Sequence, residues 1–176
     1  FFQAEDGIRD TSVTGVQTCA LPISAGAQDA AKVTGARGDF LGNFGGLERK
    51  FTQLAEAFPQ DKYDWRPGAG VRSVCEVFVH ITVENYDMGK AFGGPAAPAA
   101  LGNGDKCIGN KAAVIAAMKA SFAAIRAAVT NTKDADLEGT YTLFGANQAR
   151  RTWLLGIAEH AGEHRSEEHT SELQSP

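Results

Sequence analysis

Between residues 38 and 165, apolar side chains return every three or four positions in four separate runs. In the first, Phe40, Phe44, Leu47, Phe51, Leu54 and Phe58 are spaced four, three, four, three and four. That period, near 3.5, marks one face of a bundle helix. Gly42, Gly45 and Gly46 weaken this helix intrinsically while allowing close packing, and Pro59 ends it. The second run opens at Ser73-Val74-Cys75-Glu76, a sequence that fits a capping box. It continues through Val74, Val77, Ile81, Asn85 and Met88 to about Ala91. The third is Ile108, Lys111, Ile115, Met118, Phe122, Ile125 and Val129, with Lys111 its one polar break and alanine, a strong helix former, filling much of the rest. The fourth starts near Asn147 and carries Trp153, Leu154, Ile157, His160 and His164. A Gly/Pro/Ala-rich connection, 93–107, separates runs two and three and is long enough to cross the end or side of a bundle. Tyr141-Thr142-Leu143-Phe144 reads as locally extended but too short and isolated for a sheet. The pattern therefore predicts an all-α four-helix bundle with a long connection between helices two and three and no paired strands.

The ends do not share this pattern. Residues 1–24 have no helical period and no basic region followed by an apolar run, and they resemble the conceptual translation of sequencing-adapter DNA. Residues 166–176 resemble another such translation. On that reading both ends are set aside as one sets aside a fusion scar, and His169 and Cys19 carry no functional weight. Residues 25–37 are small and polar and are expected to form a flexible lead-in to a bundle at 38–165. Ala25-Gly26-Ala27 has the small-x-small form of a signal-peptidase site, which leaves localisation open between cytoplasmic and exported.

Setting the ends aside changes the charge. The 176 residues carry a formal net charge of −4. Residues 1–24 contribute −2 (Arg9 against Glu5, Asp6 and Asp10) and residues 166–176 contribute −3 (Glu167, Glu168 and Glu172). The 25–165 body is left at −4 + 5 = +1. So small a bias gives no footprint for nucleic acid. No run approaches the roughly 18 apolar residues of a membrane span. Within the body only Cys75 and Cys107 remain, without the C-x-x-C spacing of a zinc ribbon or a thioredoxin-like motif. If helices two and three run parallel, these cysteines fall near the same end, and a disulfide is then open to an exported form.

Candidate chemistry gathers in Glu159-His160-Ala161-Gly162-Glu163-His164-Arg165. Histidines four apart lie one turn above each other on one helix face, a spacing that lets both imidazoles reach the same metal ion. Trp153, Ile157, His160 and His164 follow one stripe, so the pair continues a core-facing line. The best partner is His80, within Val77-Phe78-Val79-His80-Ile81. Glu76 and Glu84, four residues on either side of His80, are each spaced to accept a hydrogen bond from its ring; the alternative is that Glu76 only caps the helix and Glu84 is solvated. Glu159 and Glu163 point off the metal face. A helix-end arginine such as Arg165 is more often exposed than bound to an anionic substrate.

The stretch Trp65-Arg66-Pro67-Gly68-Ala69-Gly70-Val71-Arg72-Ser73, running into the helix of His80, resembles the helix-two region of DinB-like proteins, in which a Trp-x-Pro turn precedes the first histidine. Gly156 to Arg165 resembles that family's H-x-x-x-H-R motif on helix four. The resemblance covers about residues 38 to 165. It implies a four-helix bundle with a long connection between helices two and three. It also implies a divalent metal, matched here by His80, His160 and His164. Some relatives are thiol S-transferases or isomerases that use low-molecular-weight thiols such as mycothiol or bacillithiol. The segment that finishes helix four in the family is replaced here by the adapter-like end.

Three neutral imidazoles suit Zn, Ni or Fe and leave at least one coordination position open, as catalytic sites do. That position suits a water lowered to a pKa of about 7, for hydrolysis, or a thiol, for transfer to an electrophile. The expected partner is a small-molecule substrate. The competing reading is a non-catalytic bundle that binds a small molecule or forms a homodimer through a helix face. The distance from His80 to the other two histidines separates the readings. G-x-S-x-G and a phosphate loop are both missing.

Overall fold

The computed structural model describes residues 33–174. The 1–24 stretch, the Ala25-Gly26-Ala27 site and residues 175–176 lie outside the described residues. Among the described residues there are four α-helices: α1 (Gly35–Ala57), α2 (Val74–Gly89), α3 (Lys111–Asn131) and α4 (Arg150–Gln174). A short antiparallel hairpin, β1 (Thr140–Leu143) with β2 (Ala146–Ala149), precedes α4. The protein is an all-α bundle with this one small addition.

The helices meet along the predicted stripes. Phe40, Phe44, Phe51, Leu54 and Phe58 are buried along α1, and Phe122 of α3 lies between turns of that row, 4.9 Å from the Phe44 ring and 5.9 Å from Phe51. Such offset aromatic contacts add to the burial of large apolar area. In the middle of the bundle, Asn85 of α2 donates to Ser121 Oγ of α3 at 3.0 Å. Ser121 in turn donates to the Met118 carbonyl at 2.8 Å, so this buried pair is satisfied. Contacts ascend together on α2 and α3 (Asn85 with Ser121, then Gly89 toward Ile125), and these helices are parallel. Against α1 the order on α3 is reversed, with Glu48 paired to Arg126 and Glu56 to Lys119. The parallel pair is what makes the 93–110 crossover necessary.

Polar residues close the helix ends. Ser73 and Glu76 form the predicted capping box on α2, with each side chain bonded to the other's backbone N–H. Lys111, the polar break in its stripe, donates Nζ to the carbonyls of Glu56 and Phe58 at the C-terminal end of α1. Arg37 does the same for α3 through the Thr130 and Val129 carbonyls, and pairs with Asp134 at 2.6 Å. Held in this way, α1 begins at Gly35, inside the stretch expected as a flexible lead-in.

Two local expectations are corrected. Tyr141 to Phe144 is not isolated, because residues 143–140 pair with 146–149 across a two-residue Phe144-Gly145 turn. Both turn residues have positive φ, 50° and 78°, the conformation that matches strand twist in tight hairpins. Helix α4 therefore starts at Arg150 rather than near Asn147. Arg150 anchors that start, donating Nε to the Ala91 carbonyl at 2.6 Å, while Trp153 Nε1 donates to the Tyr141 carbonyl. The hairpin thus packs on the first turn of α4.

Helix α3 is, by length and composition alone, apolar enough to cross a membrane, with a mean hydropathy of 1.6. Alanine raises the average between well-spaced charges. Its Val114, Met118, Phe122 and Ile125 row is buried in the bundle core.

Cys75 and Cys107 are joined by a disulfide, with Cα atoms 5.3 Å apart. It ties the first turn of α2 to the crossover just before α3. Leu101 of that crossover is buried with Val83 and Tyr86 in a small second cluster.

Candidate metal centre

The capping box and the turn before it fix where α2 begins, and hence where His80 sits. Tyr63 is buried and donates its hydroxyl to the Ala55 carbonyl at 2.7 Å, while Trp65 packs against the core from the surface side. The carbonyls of Trp65 and Tyr63 accept from Val74 N and Cys75 N. These two aromatics therefore anchor the turn. One side of α2 between Val77 and Ile81 is buried, and His80 emerges half-buried beside it, facing α4.

On α4, Trp153, Leu154, Ile157 and Ala161 are buried, and the i, i+4 spacing carries His160 and His164 along the same side. The ring centroids lie 5.5 Å (His80–His160), 4.9 Å (His80–His164) and 4.5 Å (His160–His164) apart, all edge to face. One nitrogen of each ring falls within 4.8 Å of the other two, a grouping that could hold a metal ion. The Nε2 atoms of His160 and His164 face each other at 3.1 Å. Two nitrogens about 2.05 Å from a tetrahedral metal would be separated by about 3.3 Å, so this edge needs almost no adjustment. The donor set is imidazole alone, suited to a first-row transition metal rather than to calcium or magnesium.

The electrostatics favour neutral rings. Burial, the Arg72 guanidinium and His164 push the His80 pKa down to about 4, against opposing pulls from Asp105 and Glu167. Burial, His164, His80 and Arg72 push His160 down to about 4 as well. At pH 7 both rings therefore present lone pairs. His164 Nδ1 is 2.6 Å from Glu167 Oε2. With the proton on Nδ1 shared to that carboxylate, Nε2 is left free to face the other rings, the arrangement by which carboxylates orient metal-binding histidines.

Glu167 is the participant that the sequence did not suggest. Its i+3 spacing from His164 was the available signal, but the residue falls in the stretch set aside as adapter-like. Glu76 is placed elsewhere: its carboxylate takes Arg66 on both oxygens and the Ser73 N–H. The Arg66 bond, with help from Ser73, holds it below the usual carboxylate range. The Glu84 carboxyl is pushed up by burial and by Asp87. Among the described residues no hydrogen bond joins Glu76 or Glu84 to His80. Glu159 and Glu163 are exposed.

Three imidazoles converging from facing helices define a class of helical bundles with a side-chain cluster between helices that could hold a metal ion. The sequence profile of the DinB superfamily matches residues 44–167, a span that holds all three histidines. The chain belongs to the DinB superfamily. Comparison with curated proteins gives no match.

Proposed function

We propose that the protein binds a divalent transition metal (Zn, Ni or Fe) through His80, His160 and His164 and acts on a small-molecule substrate at the remaining coordination position, as a thiol S-transferase or a hydrolase. The observation that carries this reading is the convergence of one nitrogen from each ring within 4.8 Å. When bound, such a metal lowers the pKa of a coordinated thiol or water, supplying a nucleophile at neutral pH. The chain's own contribution is threefold. Burial keeps His80 and His160 unprotonated, so that no proton must leave before they coordinate. Glu167 orients His164. The use of three protein ligands, with no fourth donor grouped beside them among the described residues, leaves room for an exogenous ligand. A low-molecular-weight thiol is the co-substrate that the transferase reading requires.

The test is metal content per chain after loading with Zn, Ni or Fe at neutral pH, for the full chain beside a His160→Ala/His164→Ala variant. About one equivalent, lost in the variant, is expected. If none of the three metals is retained, the reading is wrong. Retained metal is followed by thiol-transfer and ester-hydrolysis screens, in which turnover must disappear in the same variant.

A further inference from the structure

Beside the histidines lies a charged pair that the proposed chemistry does not use. Gly104 of the crossover packs on α2 so closely that a Cβ there would lie 3.2 Å from His80 Cα and 3.3 Å from Val83 Cβ. Its φ of +84° suits glycine for the same approach. The next residue, Asp105, is therefore held next to His80. Arg72, just before the α2 cap, pairs with Asp105 through Nη2 at 3.2 Å. The Cys75–Cys107 disulfide clamps this arrangement, since Arg72 and Asp105 each lie two or three residues before a linked cysteine.

Arg72 is lightly engaged for an arginine so placed. The 3.2 Å contact to Asp105 is its one hydrogen bond among the described residues. Arg66, six residues earlier, spends its guanidinium on both oxygens of Glu76 and on the Val71 carbonyl. A guanidinium has five donors in a planar fork that fits carboxylate or phosphate. The Arg72 side chain is 41% exposed, so a ligand can reach it.

We propose that Arg72 is the anion-recognition residue of the three-histidine site, taking the carboxylate of a substrate or thiol whose other end occupies the open coordination position. Asp105 holds the guanidinium in place until the incoming carboxylate competes for it. This inference rests on the metal reading and deepens it by naming the substrate class as carboxylate-bearing small molecules.

The experiment uses cobalt-loaded full-length protein and a matched pair of probes, 3-mercaptopropionate and 3-mercapto-1-propanol, with binding read from the visible cobalt–thiolate spectrum. Wild type should prefer the acid, and Arg72→Gln should reduce the acid's affinity about tenfold while leaving the alcohol's unchanged. Asp105→Asn removes the competing carboxylate and should strengthen acid binding by up to about fivefold. Far-ultraviolet circular dichroism checks that each variant keeps its helices. If cobalt is bound but the acid-to-alcohol ratio is the same in wild type and Arg72→Gln, the Arg72 assignment is overturned and the metal reading stands. If cobalt is not bound, the same pair is titrated calorimetrically into the Zn-, Ni- or Fe-loaded protein, and if none of these metals is bound either, both fall.

Discussion

Reducing the Cys75–Cys107 disulfide should destabilise the apo-protein mainly through its unfolded state. The sequence separation of the two cysteines is 32. In the chain-entropy treatment a loop of that size restricts the unfolded ensemble by about 12.5 cal/mol/K, which is about 3.7 kcal/mol at 25 °C. A loss of that size lowers the melting temperature of a domain this large by about 10 °C. With a urea m-value of about 2 kcal/mol/M, the midpoint falls by about 2 M. Because the Cys75 side chain is fully buried, reduction is done in urea, confirmed by thiol labelling and mass, and followed by refolding in EDTA. Leaving both cysteines in place avoids the cavity that Cys75→Ala would create. The slope provides an internal check. An uncrosslinked unfolded chain is more expanded, so m should be larger in the reduced protein. Hydrogen exchange should also quicken over 101–109, the crossover segment that the disulfide holds against α2. Reduced and oxidised proteins with midpoints within about 0.3 M of each other would refute the reasoning, because the crossover would then be constrained by its packing alone.

Two further outcomes follow from buried polar groups. Ser121→Ala should cost about 1–3 kcal/mol, because the buried Asn85 amide loses its acceptor; Asn85→Leu/Ser121→Ala should recover much of that loss, and urea titration of the single and double variants measures the coupling. The stability of the metal-free protein should fall as pH drops from about 6.5 to about 4. Both His80 and His160 have folded pKa values of about 4, below the ordinary 6.5, so the unfolded chain binds more protons in that window. Their contribution is complete above pH 6.5 and is lost as pH falls through 4. A denaturation midpoint that stays flat across this window in wild type, or that matches His80→Gln/His160→Gln at every pH, would contradict it.

The helical periods were legible because a helix buries one stripe and the stripe is written at three-four spacing. Phe40, Phe44, Phe51 and Phe122 are core residues for that reason. So were the Ser73–Glu76 cap and the His160–His164 pair, since each depends on residues within one turn. The hairpin was not legible. Its second strand, Ala146-Asn147-Gln148-Ala149, has no alternating apolar pattern and owes its register to the Phe144-Gly145 turn and to pairing with a first strand that Trp153 holds at Tyr141. Nor did the chain by itself separate two roles for Glu76. Four-residue spacing from His80 and capping of α2 are both consistent with the sequence, and only the position of Arg66 across the turn shows where that carboxylate is spent.

What the sequence by itself determined was therefore local: four helices, their inward faces, one cap and two histidines sharing a face. Tertiary structure decided everything that depends on which elements meet. It brought His80 of α2, the partner expected from the sequence, to the pair on α4, joined Cys75 to Cys107 across the crossover, and paired Arg72 with Asp105 next to the point where Gly104 meets the backbone of His80. The physical reason is that periodicity is imposed by each helix's own geometry, whereas these juxtapositions arise from the packing of parallel α2 and α3 and the path that the crossover must take between them.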